Sequence, residues 1–225
     1  MRETTVSMPG NFEYTTMGTE TMTSNLKSLH GQDLHRRNFY EANLRDADLI
    51  DADLSHADLS RADLTRADLS RADLTHAKLT DVDLTHAKLV HADLTDADLS
   101  DANLTHADLT HADLTDADLT RADLIRANLT DANLTDANLT QAKLIHANLT
   151  RAKLVHARLT RAKLIQVVLA DGNLTDANLT QATIIDVDLT NATVHGAYFD
   201  DYEQLVKDAS VNGVDLERAR FGSGG

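Results

Sequence analysis

Leucine stands at every fifth position of this chain from Leu44 to Leu179 without a break, and Ile184, Leu189, Val194 and Phe199 keep the register. From Phe39 to Phe199 the unit recurs 33 times and takes up 165 of the 225 residues. Two positions before each leucine sits alanine, replaced after Ala42 only by Val82, Val167, Gly172 and Val187. A period of five excludes an amphipathic helix, whose apolar residues return every ~3.6 positions, and it excludes a heptad seam. The Ala-x-Leu spacing of two puts both side chains on one face of a short extended segment. A chain that turns after every such segment winds into a coil with leucine and alanine inside. Successive layers then stack at the strand spacing of ~4.8 Å. One unit buries too little by itself, and stacked neighbours close a continuous core.

The units read Ala-Asp-Leu-Thr-X or close variants, and they resemble the pentapeptide-repeat family, whose motif is Ala-(Asp/Asn)-Leu-X-X. The resemblance implies an all-β fold, a right-handed quadrilateral parallel β-helix with four pentapeptides per coil. Residues twenty apart would then stack in columns. The resemblance also implies a function: some members protect DNA gyrase from quinolone-type inhibitors. Those relatives dimerise through C-terminal segments and sometimes carry loops that matter for gyrase, whereas no loop interrupts the run here.

Outside the repeat the chain divides into short pieces. Residues 1–28 hold the only proline and no repeat, which predicts a flexible or loosely docked arm. The β-helix is expected over 29–199, with a degenerate first coil at 29–38. Phe39 and Phe199 are candidate plugs for the two ends of the core. Residues 200–221 read as a helical cap, with Tyr202, Leu205 and Val206 on one side, followed by a partial last coil at Val214-Asp215-Leu216 and Ala219-Arg220-Phe221. Residues 222–225 read as a flexible tail.

The net charge is −15, which disfavours direct binding of nucleic acid. There is no cysteine, so neither disulfides nor thiol chemistry enter. No apolar run resembles a signal peptide or a membrane span, so a cytoplasmic setting is expected. Charge is polarised along the chain. From Ala47 to Arg126 there are 18 Asp against 7 Lys and Arg, whereas from Ala127 to Gly196 there are 6 of each.

Stacking at twenty-residue intervals sorts the surface. Asp53, Asp73, Asp93 and Asp113 fall in one column, and beside them run His56, His76, Asp96, Asp116 and Asp136. These aspartates form a candidate acidic docking face for a basic partner, against the plainer reading of a solvated surface that keeps the rod soluble. Ile125, Ile145, Ile165 and Ile185 form a second column where Thr or Ser is usual, a candidate apolar interface stripe against the plainer reading of β-propensity. His86, His106 and His146 share a column, with Arg126 between, but no matching set of three or four ligands stands out, so no metal and no cofactor are expected.

Ser, His and Asp occur as interchangeable repeat residues, so no nucleophile, base and orienting group stand out, and a filled leucine core offers no cleft. An enzyme is not expected. A threonine ladder of the ice-binding kind (Thr80, Thr120, Thr140, Thr160, Thr180) is crowded by charged and amide side chains. The reading that remains is a rigid rod serving as a structural or protein-interaction scaffold. It is expected to form a homodimer or to self-associate end to end. The alternative is a DNA mimic that binds a type II topoisomerase.

Overall fold

The computed structural model describes residues 28–222, together with the backbone of two short strands, β1 (Thr5–Met8) and β2 (Phe12–Thr15). β1 and β2 pair antiparallel, and the rest of the expected N-terminal arm lies outside the described residues, as do 223–225 of the tail.

From residue 28 onward the chain coils with a constant offset. Ser28 bridges Asp48, Asp33 bridges Asp53, and so on in parallel to Asn178 and Tyr198, always twenty residues apart. Four five-residue segments therefore make one coil. Each segment is tied to the next layer by the leucine N–H, as in Leu54 to Asp73 O at 2.7 Å, and to the layer before it by the N–H preceding leucine, as in Asp73 to Ala52 O at 2.9 Å.

The corners explain why the fifth position tolerates so many residue types yet excludes others. In most units the N–H of the alanine position donates to the leucine carbonyl three residues back, as in Ala97 to Leu94 O at 3.0 Å. The residue just before alanine has positive φ, between 51° and 62°, at every fifth position from Arg36 to Asn191. This is a hydrogen-bonded turn with a left-handed third residue, as in type II turns. Asp, His, Asn, Arg, Gln and Glu occupy it and β-branched residues never do, because branching at Cβ makes positive φ costly.

The position before leucine has an equally local role. Where it is Asp or Asn, its side-chain oxygen accepts from the backbone N–H and commonly the hydroxyl two residues on, as Asp73 Oδ1 does from Thr75 N at 2.9 Å and Thr75 Oγ1 at 2.7 Å. Such Asx-type bonding sets the chain up for the following corner. The inner leucines are essentially sealed from solvent (Leu114 0 %), each worth roughly 1.5–3 kcal/mol before entropy is subtracted.

At Ile145, Ile165 and Ile185 the isolated bridges widen into true strands, whereas the segments of Ile50 and Ile125 keep single bridges. β3 (Lys143–Ile145), β4 (Lys163–Ile165) and β5 (Thr183–Ile185) form a parallel sheet in register, as the extended preference of β-branched side chains favours. The run then closes with β6 (Val187–Asp188) and β7 (Tyr198–Phe199).

The last coil is longer than the others. Helix α1 (Tyr202–Asp208) is capped by Asp201, which accepts from the N–H groups of Glu203 and Gln204, and it packs on β5. Strands β8 (Ala209–Ser210) and β9 (Arg220–Phe221) follow, pairing parallel with β6 and β7 at an offset of 22 rather than 20. A helix of seven residues replaces one five-residue side, which accounts for the two extra. Leu205 enters the core, and Val211, Val214, Leu216, Ala219 and Phe221 pack against it. Of the three residues expected on the helix's inner side only Leu205 is buried; Tyr202 and Val206 are exposed, although the Tyr202 ring meets Phe221 edge-on at 5.2 Å. Phe39 is buried in the first coil, and Phe199 is covered by Phe221, stacked at 5.9 Å.

Candidate interaction faces

Asp53, Asp73, Asp93 and Asp113 are bridged partners in consecutive layers, so their carboxylates form one column on the face built over Leu54, Leu74, Leu94 and Leu114. Each spends one oxygen on the fold: Oδ1 accepts from Ser55, Thr75, Thr95 and Thr115 respectively. The Ser55 hydroxyl and N–H hold the Asp53 carboxyl below the usual carboxylate range. The other oxygen of each carboxylate has no intramolecular partner in these bonds and points charge outward. Asp96, Asp116 and Asp136 stand on the adjoining corner at φ of 58°, 58° and 60°, continuing a column that begins with His56 and His76.

The same column shows that the charge is not needed for the turn. Asn133 sits above Asp113 and its Oδ1 accepts from the Thr135 N–H and hydroxyl, as the aspartates do. Its Nδ2 also donates down to Asp113 Oδ1 at 3.2 Å and Thr115 Oγ1 at 2.7 Å. Asn128 over Asp108 and Asn138 over Asp118 repeat the arrangement on the two neighbouring faces. Amides fit this site at least as well as carboxylates do.

The isoleucine column is real and only half outward. Ile125, Ile145 and Ile165 are half-buried, and Ile185 is exposed. Exposed Lys143 and Lys163 run beside them, and Lys143 reaches Asp123 at 3.2 Å.

An ion-pair ladder along the corners escaped the sequence reading. Asp46 with Arg66, Asp51 with Arg71, Asp101 with Arg121 and Asp131 with Arg151 pair through two parallel hydrogen bonds each, always twenty residues apart with the acid first. The arginine bonds hold the carboxyls of Asp51, Asp101 and Asp131 below their ordinary range. Being exposed, they add little stability apiece. Charge alternation at a spacing of twenty in the corner residue was the available signal.

Histidine rings also stack along the corners: His56 on His76 at 4.8 Å, His86 on His106 at 4.7 Å and His91 on His111 at 4.8 Å. Desolvation, together with the neighbouring His76, depresses the His56 pKa. His146 stands apart from the His86–His106 pair, with Arg126 in the layer between. Among the described residues no group of three or more His, Asp or Glu side chains is arranged to hold a metal ion. Of the ladder threonines, the hydroxyls of Thr120, Thr140 and Thr180 bond the Asp or Asn two residues back, as Thr140 to Asn138 Oδ1 at 2.6 Å, and that of Thr80 bonds Asp98, which spends the donors that an ice-like lattice would need. One open depression of about 190 Å³ lies under α1 between Ile184 and Leu205, lined by Asp200, Asp201 and Gln204 among apolar neighbours. Among the described residues no helix is long and apolar enough to cross a membrane.

Comparison with known proteins agrees with this architecture. The family model for pentapeptide repeats matches in eight copies within residues 42–201. HetL, a pentapeptide repeat protein involved in heterocyst differentiation regulation in the cyanobacterium Nostoc sp., is 32% identical over 82% of this chain and 89% of its own, with a TM-score of 0.49. QnrB1, a plasmid-mediated fluoroquinolone resistance protein, aligns over 87% of this chain and 89% of its own at 15% identity, with a TM-score of 0.56. A pentapeptide repeat protein of the Arabidopsis thaliana thylakoid lumen is 35% identical over 44% of this chain and 68% of its own, at a TM-score of 0.43. The search of curated proteins found no match. With its repeats matched across most of its length, the chain belongs to the pentapeptide-repeat family.

Proposed function

We propose that this chain is a non-catalytic, cytoplasmic, right-handed four-sided rod, closed at its C-terminal end by α1, that acts as a structural or protein-interaction scaffold and docks a basic partner on its acidic N-terminal half. Right-handed winding follows the general rule for parallel crossovers. One observation carries the docking role: Asn133 performs every structural task of Asp113, so the carboxylates at Asp53, Asp73, Asp93 and Asp113 exceed what the fold requires. Stacked like charges cost stability, and a surface that keeps them where amides would serve is suited to a cationic partner. The test is a pull-down from lysate comparing the wild type with the Asp53→Asn, Asp73→Asn, Asp93→Asn, Asp113→Asn variant. Partners retained by the wild type and lost by the variant support the reading; identical partner sets overturn it.

A second reading is favoured by charge density. The net charge of −11 between Ala47 and Arg126 spreads over four layers of ~4.8 Å, about one charge per ~1.7 Å, the density of duplex DNA. A DNA mimic binding a type II topoisomerase would use it, and QnrB1, a fluoroquinolone resistance protein, shares the fold. Inhibition or protection of gyrase supercoiling by the wild type, weakened in the same variant, is the expected outcome; an intact protein without effect on gyrase removes this reading.

A further inference from the structure

We propose that two copies of this chain associate side by side and antiparallel through the face built over Leu44, Leu64 and every twentieth residue to Ile184. This contact uses a different face from the acidic docking surface and stands or falls separately from it. It also gives the self-association expected from the sequence a lateral form rather than an end-to-end one.

The face is electrically polar along its length. In its first four coils, counted with the corners on either side, Glu41, Asp46, Asp63, Asp81, Asp83 and Asp101 outnumber Arg45, Arg61 and Arg66, a net of −3. In the next four, Arg121, Arg126, Lys143, Arg161 and Lys163 outnumber Asp123 and Asp186, a net of +3. The other three faces are negative over those same coils, in a chain whose total is −15. Lys163 has no ion-pair partner among the described residues, and the isoleucine stripe runs beside it on β3, β4 and β5.

A surface whose two halves carry equal and opposite net charge attracts a second copy of itself across a two-fold axis. Place that axis along the strand direction, midway between the fourth and fifth coils. Lys143 then faces Asp83 of the second copy and Lys163 faces Asp63, each contact occurring twice. The Asp101–Arg121 pair of one copy meets that of the other, and at the corners Arg61 falls opposite Arg161 and Asp46 opposite Asp186. Ile125 and Ile145 lie against Thr105 and Thr85, both half-buried, whereas Thr65, opposite Ile165, is buried in its own chain. The contact is isologous and closed, so it yields dimers and not fibres.

Its size sets its strength. Eight layers of ~4.8 Å and a side of three extended residues give a face of roughly 40 by 10 Å, or about 800 Å² buried in total against the ~1,200–2,000 Å² of stable interfaces. Such a dimer is reversible and held in register by charge.

The experiment is sedimentation equilibrium of the full chain and two charge reversals, Lys143→Glu with Lys163→Glu, and Asp63→Lys with Asp83→Lys. Lysine already occupies the position before leucine at Lys78, Lys88 and Lys153, so the fold accepts it there. The wild type should dimerise at about 0.1 M salt and weaken toward 1 M, as the Debye length falls from ~10 to ~3 Å. Each reversal alone should weaken the dimer at least about tenfold, and an equimolar mixture of the two should restore it. Should the lysine pair unfold the rod by circular dichroism, Asp63→Asn with Asp83→Asn keeps the hydrogen-bond acceptor and must still weaken the dimer. A wild type that is monomeric throughout, a dimer indifferent to the reversals, or a dimer lost only with Val206→Asp at the C-terminal helix overturns the proposal.

Discussion

Replacing Asp93 by asparagine should stabilise the rod. Asp93 stacks between Asp73 and Asp113. At the layer spacing two unit charges repel by about 0.9 kcal/mol in water-like dielectric, and ~0.1 M salt trims this to roughly 0.5 kcal/mol. Two neighbours therefore cost about 1 kcal/mol. An amide also reaches down, and the Asn133 contacts, at 3.2 and 2.7 Å, show the geometry that the new side chain would adopt toward Asp73 and Thr75. Against this, the bonds from Thr95 N at 3.0 Å and Thr95 Oγ1 at 2.7 Å lose their charge assistance. That loss is about 1 kcal/mol and offsets the two new bonds. The net gain is about 1 kcal/mol, a rise in Tm of roughly 2–4 °C for a chain of this size, and it is electrostatic in origin. Thermal melts followed by circular dichroism should show the gain at about 0.1 M salt and its disappearance at about 1 M. A variant that melts below the wild type at low salt, or a gain that survives high salt, refutes the stacking argument and removes the reason for assigning the carboxylates to a partner.

Three further outcomes test other parts of the structure. Arg71→Gln should raise the Asp51 titration midpoint toward the ordinary carboxylate value, read from its carboxyl carbon by NMR, because the arginine hydrogen bond is the largest cause of the depression. A depressed carboxyl adds stability above its unfolded pKa that is lost as pH falls through the folded one, so the variant should also be less acid-sensitive; an unmoved midpoint counts against the ladder. Leu114→Ala, in a sealed layer, should cost about 2–5 kcal/mol in urea unfolding, and a loss well under that range would mean the core relaxes around the gap. Asp136→Val should be less stable than Asp136→Asn by about 1–2 kcal/mol, since both remove the charge and only valine suffers at a φ of 60°; equal stabilities would mean that corner conformation does not select the residue.

Much of this molecule is written in single residues and their nearest neighbours. The five-residue return of leucine admits no helix, and the alternation of alanine and leucine across one intervening residue says which side chains face inward. Both follow from local backbone geometry, and Leu54 or Ala97 can be placed in the interior from the repeat alone. What touches what between layers was decided by the coil. Stacking at twenty residues turns Asp46 and Arg66 into an ion pair and sets the amide of Asn133 onto Asp113. The left-handed corners are just as hidden, because a positive φ leaves only the absence of β-branched residues as its trace in the sequence. The offset of 22 in the last coil could not be counted until α1 was seen to fill one side of the rod. Side-chain direction is a property of a few consecutive residues and survives in the sequence, whereas a contact across a full turn of the coil exists only once the turn has closed.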